Sequence, residues 1–288
     1  MPSTIVVGFD GSPASSAAVD WAASRAQRLG CDVNLVRILP DAWGPGMPRL
    51  AETALDTAAR GLDAERERIS GSLPLETIHV TVRQGEVAEV LDGLSSGAAM
   101  VVGRDKPGDT HGEGFGAVVL PLVIRSRCTV AIIPRITAPG RGVVVGVDGD
   151  PESDRAVRVA AGEAEVLKQP LTIVHSACGA AAAPRGKQKD RTGEAAAGEG
   201  EMILAAAAKV VSARHPRLAV RCVLDTRNPA AEALAAAAEG AVLLVVGSRG
   251  HEGVKHMSPG AIGSLVLARI ACPMAVTHGT VGDRLPGR

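Results

Sequence analysis

Glycines recur at close spacing after an apolar run in the last part of the chain. The run Val242–Val246 leads into a segment that contains Gly247, Gly250, Gly253 and Gly260. Glycine lets the backbone take positive φ angles and approach a ligand closely, so that successive N–H groups can point into one concavity. A helix predicted to begin near Gly260 adds free N–H groups and the positive end of its dipole. The pattern indicates an anion site, although a plain connecting loop can have the same composition.

A carboxylate follows the first apolar run in each half of the chain. Asp10 comes after Ile5–Phe9, and Asp148 comes after Val143–Val147. An ionised carboxylate only accepts hydrogen bonds, so it suits a ribose hydroxyl or an adenine amino group. In open parallel sheets, ligands lie beyond the carboxyl ends of the strands where the strand order reverses. If the first and fourth strands are neighbours, the acid and the glycine-rich loop face one crevice.

Other chemical motifs are incomplete. His251 and His256 are five residues apart in a glycine-flanked loop, whereas the metalloprotease motif places its histidines at i and i+4 of a helix. Asp148–Asp154 resembles the opening of a calcium loop, but Ser153 replaces the required glycine and no glutamate follows at the twelfth position. No G-x-x-x-x-G-K-[ST] or G-x-S-x-G motif occurs. We therefore expect no catalytic residue and no metal held by the protein.

These residues are carried by two copies of one unit. The segment Ile5–Ser15 returns as Val143–Ser153 at an offset of 138 residues, whereas Ala98–Lys106 returns at an offset of 144. Such a colinear repeat is the signature of homologous tandem units. The difference between the offsets is six residues, which we place in Gly179–Gly200. The Ala- and Gly-rich composition of that stretch predicts a mobile loop.

Short Val/Ile/Leu-rich runs alternate with segments of helical period in both copies, which predicts an α/β protein with two tandem, open, five-stranded parallel sheets covered by helices on both faces. The predicted strands are Ile5–Phe9, Val33–Leu39, Ile78–Arg83, Ala99–Val102, Thr129–Ile133, Val143–Val147, Leu171–His175, Ala219–Val223, Val242–Val246 and Met274–Thr277. The predicted helices of the first copy are Ala14–Arg28, Met47–Ser70, Val87–Ser96 and Ala117–Ser126. The predicted domains are 1–136 and 141–279, with a tail over 280–288.

The composition disfavours several classes of partner. Lys and Arg total 31, as do Asp and Glu, so no positive excess directs the chain to nucleic acid, and aromatic residues for base stacking make up only 1%. The five cysteines lack a C-x-x-C spacing, which favours a reducing compartment over a disulfide framework. No run approaches about 20 consecutive apolar residues, and no signal-peptide pattern is present. We expect a cytoplasmic protein that neither binds nucleic acid nor crosses a membrane.

Taken together, these motifs resemble those of the universal stress protein family. V-x-V-G-x-D at the first strand is followed, after the fourth, by G-x2-G-x9-G-[ST], matched here by Gly247, Gly250 and Gly260. Cys272 and Pro273 then open the last strand, as in many members, and the resemblance covers almost the whole chain twice. It implies a strand order 3-2-1-4-5 and ATP binding where the motif is kept. It also implies pairing through the last strand, between the two halves or in a homodimer.

The resemblance also assigns site residues. In the second domain Asp148 would contact the adenosine end of ATP, and the glycine-rich loop would line the triphosphate. The residues assigned there are Gly146, Asp148, Gly247, Ser248, Arg249, Gly250, His251, Glu252, Gly253, Gly260, Ala261 and Ile262. Those of the first domain are Gly8, Asp10, Gly103, Arg104, Lys106, Gly116 and Ala117. Mg²⁺ would accompany ATP through phosphate oxygens and water.

Both copies depart from the family pattern. Ala261 and Ala117 stand where the family has Ser or Thr, so a hydroxyl that could hydrogen-bond a phosphate is missing. In the first copy Lys106 replaces the second glycine, and Pro107 removes the next N–H. Lys106 could attract phosphate as a point charge, but Asp105 beside it opposes an anion. We predict that the second site is weakened but kept and that the first is the more degenerate.

Three functions are compatible with these residues. The first is a stress-response protein that binds ATP, mainly in the second domain, and acts as a nucleotide-dependent regulator or sensor toward an unidentified protein partner. The second is an interaction or structural protein with two vestigial sites, which the two alanines and Lys106 favour. The third is an enzyme, such as a slow ATPase. It is disfavoured because no positioned general base is evident besides the acids and histidines near the glycine-rich loop.

Overall fold

The computed structural model divides into two compact units, Met1–Ile136 and Thr137–Gly279. It describes residues 4–41, 48–94, 99–104, 115–126, 128–135, 139–178, 193–248 and 272–278. The predicted tail 280–288 and residues 179–192 of the predicted loop lie outside these ranges. No helix in the described part of the chain is long and apolar enough to cross a membrane.

The first unit contains five strands and four α-helices in its described part, in a simple alternation. In chain order these are β1 (Ile5–Gly8), α1 (Pro13–Leu29), β2 (Val33–Leu39), α2 (Pro48–Ile69), β3 (Ile78–Gln84), α3 (Val87–Leu94), β4 (Ala99–Arg104), α4 (Phe115–Arg125) and β5 (Val130–Pro134). A short 3₁₀ turn, Leu75–Thr77, precedes β3. The predicted ends agree with these to within two residues.

The strands of the first unit form a parallel sheet in the order β3-β2-β1-β4-β5. Helices α1 and α2 cover one face, where Ala18, Ala22 and Leu62 pack on strand residues such as Val7 and Leu35. Helix α3 lies on the other face, since a Cβ placed on Gly8 of β1 would meet the Leu91 side chain at 3.4 Å. Burial on both faces explains why β1 and β5 are continuously apolar rather than alternating.

Helix α1 has defined start and stop signals in its sequence. Ser12 is the N-cap, with its side chain accepting the Ser15 N–H at 3.1 Å, and Pro13 is the first helical residue. Alanines four residues apart give the helix a narrow buried face, which lets it lie close to the sheet. Gly30 ends it at φ 63°, a left-handed conformation in which its N–H caps the Ala26 carbonyl.

The second unit repeats this arrangement in its described part. Its elements are β6 (Val143–Gly146), α5 (Pro151–Val166), β7 (Leu171–Ser176), α6 (Gly193–Arg214), β8 (Val220–Asp225), α7 (Ala230–Ala237), β9 (Leu243–Gly247) and β10 (Met274–Thr277). The parallel sheet has the order β8-β7-β6-β9-β10, which is 3-2-1-4-5 within the unit. The expected fold class and strand order are thus confirmed for both units.

One prediction about the second unit is wrong. The sequence predicted a mobile loop through Gly200, whereas residues 193–200 form the first two turns of α6. The segment is rich in alanine and glutamate, which favour helix, and this outweighs its glycines. Gly200 also has a packing role, because a Cβ there would lie 2.5 Å from the Leu224 side chain and 2.9 Å from the His175 ring. The glycine therefore lets α6 approach the sheet closely.

Candidate functional site

The carboxyl ends of β6 and β9 are adjacent in the second unit. Val145 of β6 is in register with Val245 of β9, so Gly247 is level with Val147 and Asp148 follows directly. The strand order reverses at this point, because β7 lies on one side of β6 and β9 on the other. This switch point is where open α/β sheets bind ligands. The acid and the start of the glycine-rich segment are thus brought to one place.

The same juxtaposition occurs in the first unit. Val7 of β1 is in register with Val101 of β4, which puts Gly103 level with Phe9 and next to Asp10. Gly103 is required there, because a Cβ would lie 2.2 Å from the carbonyl oxygen of Ala14 in the first turn of α1. The end of β4 and the start of α1 are therefore in direct backbone contact.

Asp148 is half-buried and held by a tight turn. Its Oδ1 accepts the hydroxyl of Ser153 at 2.5 Å and the N–H of Asp150 at 3.1 Å. The N–H of Asp148 in turn donates to the Ser153 Oγ at 3.1 Å. Gly149 between the two acids has φ 85°, a conformation that favours glycine. The carboxylate of Asp148 is consequently fixed by the turn and by the start of α5.

Asp10 occupies the matching position but has different surroundings. Its Oδ1 accepts the N–H of Ser12 at 2.9 Å across Gly11, whose φ is 84°. Burial by itself would raise the pKa of Asp10. Hydrogen bonds from Ser12 and Ser15, together with the positive charge of Arg37, outweigh that effect and hold the pKa below its ordinary value. Asp10 is therefore ionised and has a cation near it within its own unit.

The second strand of each sheet carries the largest difference between the two sites. Arg37 near the end of β2 corresponds to His175 of β7 at the repeat offset. Its guanidinium comes within 3.9 Å of the Cβ position of Gly11, beside the turn that holds Asp10. His175 instead uses its Nδ1 to contact the Val147 carbonyl at 2.8 Å. Because a carbonyl only accepts, Nδ1 carries the proton, and this ring nitrogen bonds to the backbone of the residue that follows β6.

The residue after the fourth-strand glycine also differs between the units. Arg104 is only 4% exposed in the first unit, whereas Ser248 occupies the matching place in the second. The N–H of Ser248 donates to the Thr277 carbonyl at 2.8 Å. That N–H is engaged within the sheet, so Ser248 would offer a ligand its hydroxyl.

The other predicted site residues divide into two groups. Gly8 and Gly146 end β1 and β6, and the absence of a side chain leaves room for Leu91 and Leu234 of the helices behind them. Gly116 and Ala117 lie in the first turn of α4, where helix N–H groups are free of intrahelical partners. The remaining predicted residues lie outside the described ranges: Lys106, Arg249, Gly250, His251, Glu252, Gly253, Gly260, Ala261 and Ile262.

Sequence reasoning missed three residues of these sites. Ser153 was noted only as the residue that replaces the glycine of a calcium loop, and neither Arg37 nor His175 was singled out. The repeat offset of 138 residues was the available signal, because it aligns Ser15 with Ser153 and Arg37 with His175. Within the described residues, no group of three or more His, Cys, Asp or Glu side chains could hold a metal ion.

Comparisons with known proteins agree with this geometry. The sequence profile of the Universal stress protein family matches residues 1–134 and again 141–278. A universal stress protein of Mycobacterium tuberculosis is 30% identical, over 95% of this chain and 94% of its own. One from Mycolicibacterium smegmatis is also 30% identical, over 95% and 96%. The crystal structure of a universal stress protein from Archaeoglobus fulgidus superposes with a TM-score of 0.69 at 17% identity, covering 96% of both chains.

Proposed function

Because the chain belongs to the universal stress protein family, we propose that it is a stress-response protein that binds ATP in its second unit. Mg²⁺ would enter with the nucleotide, held by phosphate oxygens and water. The nucleotide acts by occupancy, because bound ATP changes the affinity of the protein for a partner. No step of this scheme requires turnover of ATP.

The observation that carries the proposal is the adjacency of β6 and β9. Their register places Asp148 beside Gly247 at the switch point of the sheet. A carboxylate that accepts hydrogen bonds lies next to the start of a glycine-rich segment that suits phosphates. One ligand with hydroxyl or amino donors at one end and phosphates at the other satisfies both, and ATP is such a ligand.

Each end of the site has its own chemistry. Asp148 would accept hydrogen bonds from the adenosine moiety, because its carboxylate is already oriented by Ser153 and Asp150. The Ser248 hydroxyl and the backbone of the following residues would contact the triphosphate. Arg249 could add a positive charge near the phosphates. The alanine at position 261 removes one hydroxyl from this end, so we propose a moderate rather than a tight affinity.

Three features support the second unit as the nucleotide site in preference to the first. Arg37 places a cation by the Asp10 turn, which weakens Asp10 as an acceptor for a neutral hydroxyl. Arg104 buries a large cationic side chain where the second unit has the small Ser248. Lys106 stands at the position of Gly250. None of these changes occurs in the second unit, so we propose one functional site in each chain.

A pair of matched substitutions tests this proposal. Asp148→Asn keeps the Oδ1 acceptor of the turn but removes the charge, and hydrogen bonds to charged groups contribute about 1.5–3 kcal/mol. We expect roughly a 10- to 100-fold loss of Mg-ATP affinity by calorimetry, whereas Asp10→Asn should leave it unchanged. Equal losses for the two variants would contradict a site in the second unit. Absence of ATP binding by the unmodified protein would favour the rival function, an interaction protein with two vestigial sites.

A further inference from the structure

We propose that Ser153 is a positioning residue, whose hydroxyl sets the orientation of the Asp148 carboxylate and thereby the affinity for the adenosine end of the ligand. The inference rests on the proposed function for its ligand, and on the observed hydrogen bonds for its geometry. Ser153 would not itself contact the nucleotide. It acts through Asp148, which it joins to the start of α5.

The hydroxyl of Ser153 forms a closed pair of hydrogen bonds with a single residue. It donates to Asp148 Oδ1 at 2.5 Å and accepts from the Asp148 N–H at 3.1 Å. The first of these bonds has a charged acceptor, and such bonds are shorter and stronger than neutral ones. Both the carboxylate and the backbone of Asp148 are therefore fixed by one oxygen atom.

Ser153 can fix Asp148 because it is itself held in place. It is the third residue of α5, and its N–H donates to the Asp150 carbonyl at 2.9 Å. The N–H of Asp150 then donates back to Asp148 Oδ1 at 3.1 Å. The turn between β6 and α5 is thus closed by side-chain and backbone bonds. A ligand that meets this carboxylate needs little further ordering of the protein.

The first unit uses the equivalent serine differently. The hydroxyl of Ser15 donates to the Ser12 carbonyl at 2.9 Å, and the N–H of Ser15 donates to the Ser12 side chain at 3.1 Å. Ser15 thus bonds mainly to Ser12, the N-cap of α1, although it also helps to keep the pKa of Asp10 low. The two turns also differ in sequence, with Ser12 in the first unit and Asp150 at the matching position of the second. Ser15→Ala is therefore a matched control.

Calorimetry with three probes tests the inference. The probes are Mg-ATP, adenosine and inorganic tripolyphosphate, and the variants are Ser153→Ala, Ser153→Thr and Ser15→Ala in the full-length chain. We expect Ser153→Ala to lose roughly tenfold in affinity for ATP and for adenosine. Its affinity for tripolyphosphate should be unchanged, because that probe has no adenosine moiety to meet Asp148. Ser153→Thr restores the hydroxyl and should restore ATP binding, and Ser15→Ala should bind ATP as the unmodified protein does.

Two results would overturn the inference. One is a Ser153→Ala protein that binds ATP with unchanged affinity. The other is an equal loss for ATP and tripolyphosphate, since that would show a general structural defect. The rate of amide hydrogen exchange at Asp148 tests the positioning role of Ser153 without a ligand, and so distinguishes its failure from a failure of the proposed ATP binding. If the unmodified protein binds no ATP, the proposed function fails, but faster exchange at Asp148 in Ser153→Ala would still support the positioning role, and unchanged exchange would refute it.

Discussion

At the scale of single residues, Gly103 near the end of β4 has a steric role besides any contact with a ligand. A Cβ on Gly103 would lie 2.2 Å from a carbonyl oxygen and 2.7 Å from a backbone nitrogen of α1. Neither atom can move without shifting the helix. The Asp10 turn directly precedes α1, so the packing of this glycine and the placement of the acid are coupled.

Gly103→Ala should therefore destabilise the first unit. Overpacking against backbone typically costs about 1–3 kcal/mol, which should appear as a lower denaturant midpoint in chemical unfolding. Gly61→Ala is the matched control, because Gly61 lies within α2 with nothing near its Cβ position. That substitution should be neutral or stabilise the protein by up to about 1 kcal/mol. A Gly103→Ala protein as stable as the control would show that α1 does not need this close approach.

The positions of the acids were predictable from sequence, but their partners were not. Asp10 and Asp148 each follow an apolar run, and such runs end at the carboxyl edge of a parallel sheet. Which neighbour bonds to the carboxylate depends on side-chain rotamers within the turn, which no spacing rule specifies. Arg37 lies near Asp10 because β1 pairs with β2. That pairing was available only as an implication of the family resemblance.

At the scale of elements, the first helix of each unit ends in the same left-handed turn but with different residues. Gly30 ends α1 at φ 63°, and Lys168 follows α5 at φ 53°. The closing bond is also repeated, since Cys31 donates to the Ala26 carbonyl and Gln169 donates to the Ala164 carbonyl. A left-handed conformation is unfavourable for lysine because its Cβ crowds the following carbonyl.

Lys168→Gly should relieve this strain and stabilise the second unit. The penalty for a side chain in that conformation is about 1–2 kcal/mol, and the extra entropy of unfolded glycine offsets part of it. We expect the free energy of unfolding, measured by thermal or chemical denaturation, to rise by about 0.5–1 kcal/mol. The reciprocal change Gly30→Lys should destabilise the first unit by a similar amount. If the two substitutions changed the free energy of unfolding in the same direction, the turns after α1 and α5 would not be equivalent.

The helices and strands were predicted well except where composition was misleading. Apolar runs without alternation indicated the buried strands, and the helix predicted over Ala14–Arg28 lies within one residue of α1 at each end. Residues 193–200 were predicted to be part of a loop because the stretch is rich in alanine, glycine and charged residues, yet they begin α6. The repeat contained the information, because α2 and α6 are both 22 residues long. A helix was therefore the better prediction for this segment.

At the scale of the whole molecule, the chain contains the same fold twice, and the two crevices are lined by different side chains. The strand order, the acid and the fourth-strand glycine are the same in both units. The residues around them have diverged: Arg37 against His175, Arg104 against Ser248, and Ser12 against Asp150. The alternation of strands and helices was predictable because many residues specify it together, whereas the properties of each crevice depend on a few side chains. These differences support the proposal that only the second unit binds nucleotide.

The most direct test of this account is the stoichiometry of Mg-ATP binding to the intact protein by calorimetry. The account predicts a single site per chain, which is abolished by Gly250→Asp and unaffected by Lys106→Asp, the change at the matching position of the first unit. The new carboxylate would repel phosphate only where phosphate binds. Two sites per chain, or one site that is lost with Lys106→Asp and kept with Gly250→Asp, would contradict it.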